Sequence, residues 1–368
     1  MPVTTAASPI PKERQKIRLW WKIRGVPLAE KIFYAQHLGV MLKAGISLGS
    51  ALITLSEQTQ HRYFKVILKD ISERVNQGQS LAKSLALYPG VFEEFFVNMI
   101  AAGEVSGKYE EVLDELYKHL KKSHELKSKI RGAMIYPIII IVAMIVIAIL
   151  MLTFVVPKLI TIFEESGVEL PLPTRILIGI TNGFLTYGLF IGIGVIVFVT
   201  FVVLLFKKEK PKFILHALLL RLPIFGGIIK KINIARFSRT LGALLKTDIP
   251  IMESLLITSR VVKNRPYRKA LEDAVDVVKK GQAMNTFFVT RPNLFSPLIS
   301  QMVMIGEETG TLDNILKELA DFFEEDVRQT MDNLPSIIEP ILIVLLGIGV
   351  AGMAVAFIMP LYSLTEAI

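Results

Sequence analysis

Residues 99–107 read Met-Ile-Ala-Ala-Gly-Glu-Val-Ser-Gly, and residues 302–310 read Met-Val-Met-Ile-Gly-Glu-Glu-Thr-Gly. The shared Met, Gly-Glu and closing Gly stand at an offset of 203, and the same offset carries outward in both directions. Upstream, Leu38-Gly39 meets Leu241-Gly242, Leu42-Lys43 meets Leu245-Lys246, Gly78-Gln79 meets Gly281-Gln282, and Pro89 with Phe92 meets Pro292 with Phe295. Downstream, Leu113 meets Leu316, Glu115-Leu116 meets Glu318-Leu319, Pro137 meets Pro340 and Pro157 meets Pro360. An offset that never slips identifies a duplicated structural unit.

Each copy reads as helices. In the first, Leu28, Ile32, Ala35, Leu38 and Leu42 form an i, i+3/i+4 apolar stripe that Gly45 closes. The second copy has Asp248 at that stop, one of the few residues besides glycine that tolerate the left-handed conformation. Further helices fit 48–58, 62–77, 80–87, 92–102 and 107–130, broken at Gly78, Pro89-Gly90 and Ser106-Gly107. No stretch shows strand alternation bounded by hairpin turns. The expected modules, 28–134 and 232–336, are each large enough, at about 100 residues, to bury a core.

Three uncharged runs lie outside the modules. Residues 138–156, IIIIVAMIVIAILMLTFVV, span a hydrocarbon core of about 30 Å. No Asp, Glu, Lys, Arg or His occurs between Arg175 and Lys207, although Thr181, Asn182, Thr186 and Tyr187 give its first third an interfacial character. Residues 341–359 form the last run, with Glu339 and Pro340 at its mouth. The expected spans are therefore 135–157, 176–206 and 337–360. The fold class is an all-α membrane protein with two homologous cytoplasmic helical bundles and three transmembrane helices.

Charge orients the spans. Residues 1–131 hold 20 basic against 13 acidic residues and 207–336 hold 20 against 15, whereas 157–174 hold one basic and three acidic. Basic flanks stay cytoplasmic, so the tail (1–27), both modules and the linker 207–231 are expected inside, and 158–175 and the C-terminus 361–368 outside. Parity agrees: each module is followed by a span leaving the cytoplasm, so the middle span must be the return. The net charge of +9 is thus a signature of topology and of an anionic membrane surface, not of nucleic acid. Lys12–Arg24, with six basic residues and Trp20-Trp21, suits such a surface.

Composition narrows the chemistry. The chain is 52% hydrophobic and 20% charged, more apolar than the roughly 45–50% and 25% of soluble chains. With no cysteine, disulfide, thiolate-metal and cysteine-nucleophile chemistry are excluded. The five histidines show no ligand spacing, and no phosphate-loop motif of a nucleotide motor occurs.

The Phe237–Leu245 pattern Phe-x-Arg-x-Leu-Gly-x-Leu-Leu, the paired Gly-Glu-x-[Ser/Thr]-Gly turns and the proline-marked spans together resemble the inner-membrane platform proteins of type II secretion and type IV pilus systems, the GspF/PilC family. The likeness covers about residues 28–362. It implies a non-enzymatic, cofactor-free platform in the bacterial inner membrane. The implied partners are a secretion or assembly ATPase, pilins or pseudopilins, other inner-membrane machine components and further copies of itself. The first copy departs in having Gln36 where the second has Arg239. A membrane sensor or transport subunit with paired cytoplasmic ligand-binding domains is the alternative.

The expected motif residues are Gly103, Glu104, Gly107, Gly306, Glu307, Gly310, Pro137 and Pro340. Glu104 and Glu307 are read at a turn that opens a helix, favoured there by free N–H groups, with Ser106 and Thr309 as candidate caps. The competing readings are an acidic interface, or a hard-cation site completed by another carboxylate. Pro137 and Pro340 fit either the first turn of a span or a kink in a continuous helix. The absence of loop-like residues between Leu126 and Ile135 favours the kink. Gly188-x-x-x-Gly192 and Gly347-x-x-x-Ala351 permit close helix approach but are equally ordinary in spans.

Overall fold

In the computed structural model of the protein, residues 25–165, 171–206, 209–223 and 225–366 are described. The basic cluster 12–24, Glu169, Lys207, Lys208 and Ile368 lie outside the described residues.

Every element among the described residues is helical. The first copy contributes α1 (Leu28–Lys43), α2 (Leu48–Gln58), α3 (Arg62–Asn76), α4 (Leu81–Ala86), α5 (Glu94–Ser106) and α6 (Tyr109–Leu150). A π turn, Met151–Val155, leads into α7 (Val156–Glu165), followed by α8 (Leu172–Leu205) and α9 (Glu209–Leu219). The second copy supplies α10 (Phe225–Lys246), α11 (Ile251–Val261), α12 (Arg265–Lys279), α13 (Met284–Val289), α14 (Pro297–Thr309) and α15 (Leu312–Glu366).

Turn chemistry sets the boundaries. Ser47 and His61 accept hydrogen bonds from N–H groups three residues on, and Asn264 does the same in the second copy. Gly45 closes α1 at φ 81°, and Asp248 takes the same role after α10 at φ 60°, the only positive φ outside glycine among the described residues.

The chain divides into two compact units. One joins residues up to Lys127 with Leu219–Asp326 and so contains helices of both copies; the other joins Ser128–Leu218 with Val327 onward.

Within the first unit, each copy is built on an aromatic cluster. Tyr34, Phe64, Phe92 and Phe96 pack in the first, with Phe92 and Phe96 ring centres 5.0 Å apart. Phe237, Tyr267, Phe288 and Phe295 pack in the second, with Phe288 and Phe295 stacked at 4.2 Å. Through the offset, Tyr34 corresponds to Phe237 and Phe64 to Tyr267, so the phenol has changed helices between copies. Tyr267 donates its hydroxyl to the Leu294 carbonyl at 2.6 Å, whereas the buried Tyr34 hydroxyl has no hydrogen-bond partner among the described residues. The first core also takes in Ala243, Leu244, Ile249 and Ile257 of the second copy.

The second unit holds the apolar lengths of α6, α8 and α15, each long and apolar enough to cross a membrane. Their exposed Ile139, Leu189 and Ile348 present the surface that hydrocarbon solvates without cost. α8 begins at Leu172, ahead of the expected 176, because Pro171 and Pro173 suit a helix start. The added turn puts Thr174 Oγ1 2.8 Å from the Ala356 carbonyl, which satisfies a buried hydroxyl within an apolar contact.

Candidate functional site

The Gly-Glu segments close helices; they do not open them. α5 runs to Ser106 and α14 to Thr309, and Gly107 (φ 72°) and Gly310 (φ 69°) terminate them in the left-handed conformation. The helix expected over 92–102 continues to Ser106, because the physical stop is the glycine that can take positive φ. Gly103 and Gly306 lie inside these helices for a packing reason. A Cβ on Gly103 would stand 3.2 Å from Val112 Cβ, and one on Gly306 would stand 3.0 Å from Leu312 Cα. These glycines let α5 approach α6 against the Val112 side chain, and α14 approach α15 against the Leu312 backbone.

Helix closure directs each glutamate backward in the chain. Glu104 accepts hydrogen bonds from the Leu81 N–H at 3.0 Å, the Ala82 N–H at 3.2 Å and the Ser80 hydroxyl at 2.6 Å. Glu307 accepts from the Met284 N–H at 2.6 Å and the Asn285 N–H at 3.0 Å. Each carboxylate therefore caps the short helix that precedes its own, α4 or α13, where the orphan N–H groups and the dipole favour negative charge. Burial pushes the Glu104 carboxyl up, but the hydrogen bonds from Ser80, Ala82 and Leu81 outweigh it and hold it below the ordinary carboxylate range.

Ser106 and Thr309, expected as caps, donate their hydroxyls to the Ala102 and Ile305 carbonyls one turn back in their own helices, and Ser106 Oγ also accepts from the Lys108 N–H at 3.4 Å, just ahead of α6. Among the described residues no three His, Cys, Asp or Glu are grouped so as to hold a metal ion. Pro137 lies well inside α6 and Pro340 well inside α15, so neither occupies a first helical turn.

A second arrangement, outside the expected site residues although Arg239 belongs to the Phe237–Leu245 pattern, is the contact between copies in the first unit. Lys246 Nζ lies 2.6 Å from Glu115 Oε2, Arg260 pairs with Glu94, and Lys122 approaches Asp321 and Glu324 at 3.7 and 3.9 Å. His119 Nε2 meets Thr240 Oγ1 at 3.2 Å, and its ring lies 4.1 Å from that of Phe95. Burial, with Arg239 and Arg236 close by, pushes the His119 imidazole down to about 3, so it is neutral. Arg239 forks onto Glu324 through Nε (2.9 Å) and Nη2 (2.7 Å) and also reaches Asp321. The departure at Gln36 now has a partner: one offset back from Asp321 and Glu324 stand Lys118 and Lys121. The first copy lacks the arginine and both carboxylates together.

The sequence profile of the family described as "Type II secretion system (T2SS), protein F" matches residues 34–157 and again 237–360. The type IV pilus assembly protein PilC of Thermus thermophilus is 35% identical over 342 residues, covering 93% of this chain and 84% of the relative. The protein of that name in Pseudomonas aeruginosa is 31% identical over 359 residues, covering 97% and 96%. The type II secretion system protein F of Aeromonas hydrophila is 30% identical over 353 residues, covering 93% and 88%.

Proposed function

The chain belongs to the type II secretion system protein F family, and from that premise we propose that it is the inner-membrane assembly platform of a type IV pilus or type II secretion machine. The observation that carries this reading is the family profile met twice, at the offset of the internal repeat, together with three helices suited to a bilayer. The platform has no chemistry of its own. It couples a cytoplasmic ATPase to the displacement of a pilin or pseudopilin held in the membrane, and it works as a homo-oligomer beside other machine components.

The N-terminus and both copies are placed in the cytoplasm and the C-terminus outside it. Support comes from the basic excess in 1–131 and 207–336 against the acidic 157–174. The elements offered for transmission are α6 and α15, each an unbroken helix that begins in a copy and continues into an apolar run.

Crosslinking of the full chain in its native cells tests the proposal. Capture of a secretion or pilus ATPase together with a pilin-like protein is expected. Abundant, membrane-inserted protein that captures neither would refute it.

A further inference from the structure

The first unit contains a cavity of about 250 Å³ lined from both copies. Its wall is apolar where Phe95, Phe96, Leu120 and Leu126 face it, and its charged lining is strongly one-sided. Lys31, Lys127, Arg236, Arg239 and Lys263 stand against two carboxylates, Glu93 and Glu324. Arg239 and Glu324 are spent on each other. Lys31, Lys127, Arg236 and Lys263 make no ion pair or hydrogen bond among the described residues, leaving four cations with Glu93 as the remaining countercharge.

Uncompensated cations in a partly buried wall are costly. Burial pushes the Lys31 ammonium down, Glu93 offsetting only part of it, and acts the same way on the Arg236 guanidinium. Lys31 and Arg236, half-buried, bear that cost, and an arrangement kept for stability would pair them, as the contacts between copies do elsewhere in this unit; Lys127 and Lys263 are exposed. The four cations are also confined to one place per chain. At the corresponding positions of the other copy stand Ile234 for Lys31, Thr330 for Lys127, Phe33 for Arg236 and Gln60 for Lys263. The repeat itself therefore does not require them. Nor does the N-terminal stretch 12–24, with six basic residues against Glu13, carry the sign to neutralise them.

We infer that this cleft binds an oxyanion, a phosphate or carboxylate group carried on an apolar body. Arg236 and Lys31 meet the charged head, Lys263 and Lys127 complete it from the more exposed side, and the body lies along the apolar wall. A concave, mostly apolar pocket with a few convergent polar groups is the usual form of a small-molecule site. The guanidinium fork suits phosphate and carboxylate alike.

Calorimetric titration of the detergent-solubilised full chain with pyrophosphate, and separately with citrate, tests the inference at constant ionic strength set by chloride. Saturable one-to-one binding of at least one probe is expected, and which probe binds assigns the head group. Arg236→Gln should weaken that binding about tenfold or more. Lys263→Gln, on the exposed side, should weaken it to a lesser extent and serves if the arginine variant does not fold. Lys118→Gln removes an equal charge outside the cleft and should leave affinity unchanged. No binding of either probe, or equal weakening by Lys118→Gln and the cleft variants, would overturn the site.

Discussion

The Glu307 carboxylate lies 2.6 Å from the backbone nitrogen of Met284, 23 residues earlier, and so caps a helix other than its own. Glu104 stands in the same relation to Leu81, but with help. Ser80 there also accepts from the Lys83 N–H, while Ala283 has no side chain able to do so. Replacing Glu307 by Ala should therefore cost about 1–3 kcal/mol, and replacing Glu104 by Ala no more than that. Thermal or denaturant unfolding of the two variants measures the order; a larger loss at Glu104 would contradict the capping account.

The Glu104 cap is also pH-dependent. Its folded carboxyl titrates below the unfolded one, so its contribution is fully present above the unfolded range near pH 4.5 and is lost as pH falls through the lower, folded value. The stability gap between wild type and Glu104→Gln should close on acidification through that window. A gap that widens there would show that the carboxylate is not held in its charged form.

The transposed phenols give a sharper contrast. Tyr267→Phe loses a hydrogen bond to the Leu294 carbonyl and leaves that carbonyl with one partner fewer, a loss of about 1 kcal/mol. Tyr34→Phe removes a buried hydroxyl without a partner among the described residues and should be neutral or stabilising. Equal destabilisation by both substitutions would mean that the Tyr34 hydroxyl is satisfied after all.

Much of this was legible in the sequence, and the limits have physical reasons. The repeat, the helices and the three apolar runs follow from periodicities that a single chain displays. Gly45 and Asp248 show the reading working at one residue: a helix stop was expected at both, and both take positive φ. The glutamate caps were misplaced because a cap that reaches back 23 or 24 residues leaves no local signature. The contact between copies was missed because offset comparison marks what the copies share. Most of its residues are ones they do not share: Glu94 answers to Pro297, His119 to Phe322 and Lys122 to Glu325, while Glu115 and Lys246, repeated as Glu318 and Lys43, are the exception. Positions of broken repeat were the available signal.

Glycine substitutions separate conformation from packing. Gly107→Val and Gly310→Val place a β-branched side chain at positive φ and should each cost about 1–3 kcal/mol. Gly306→Ala should be worse than Gly103→Ala, because its Cβ meets the Leu312 backbone where the other meets the Val112 side chain. The reverse order would show that α15 yields more readily than that valine.

Topology is open to labelling because the chain lacks cysteine. Single cysteines at Ser80, Ser166 and Thr286 should react with an impermeant reagent in intact cells only at Ser166. Labelling at Ser80 would reverse the proposed orientation.

The proposed coupling runs through α6 and α15, and interrupting those helices separates transmission from anchoring. A flexible Gly-Ser stretch is inserted in the full chain between Lys129 and Ile135, and in a second variant between Leu334 and Ile338. Protein abundance and capture of the ATPase are scored beside filament assembly or secretion in the native cell. The ATPase should still be captured while assembly or secretion is lost. Normal assembly with both insertions combined would contradict the coupling and leave the platform a passive anchor.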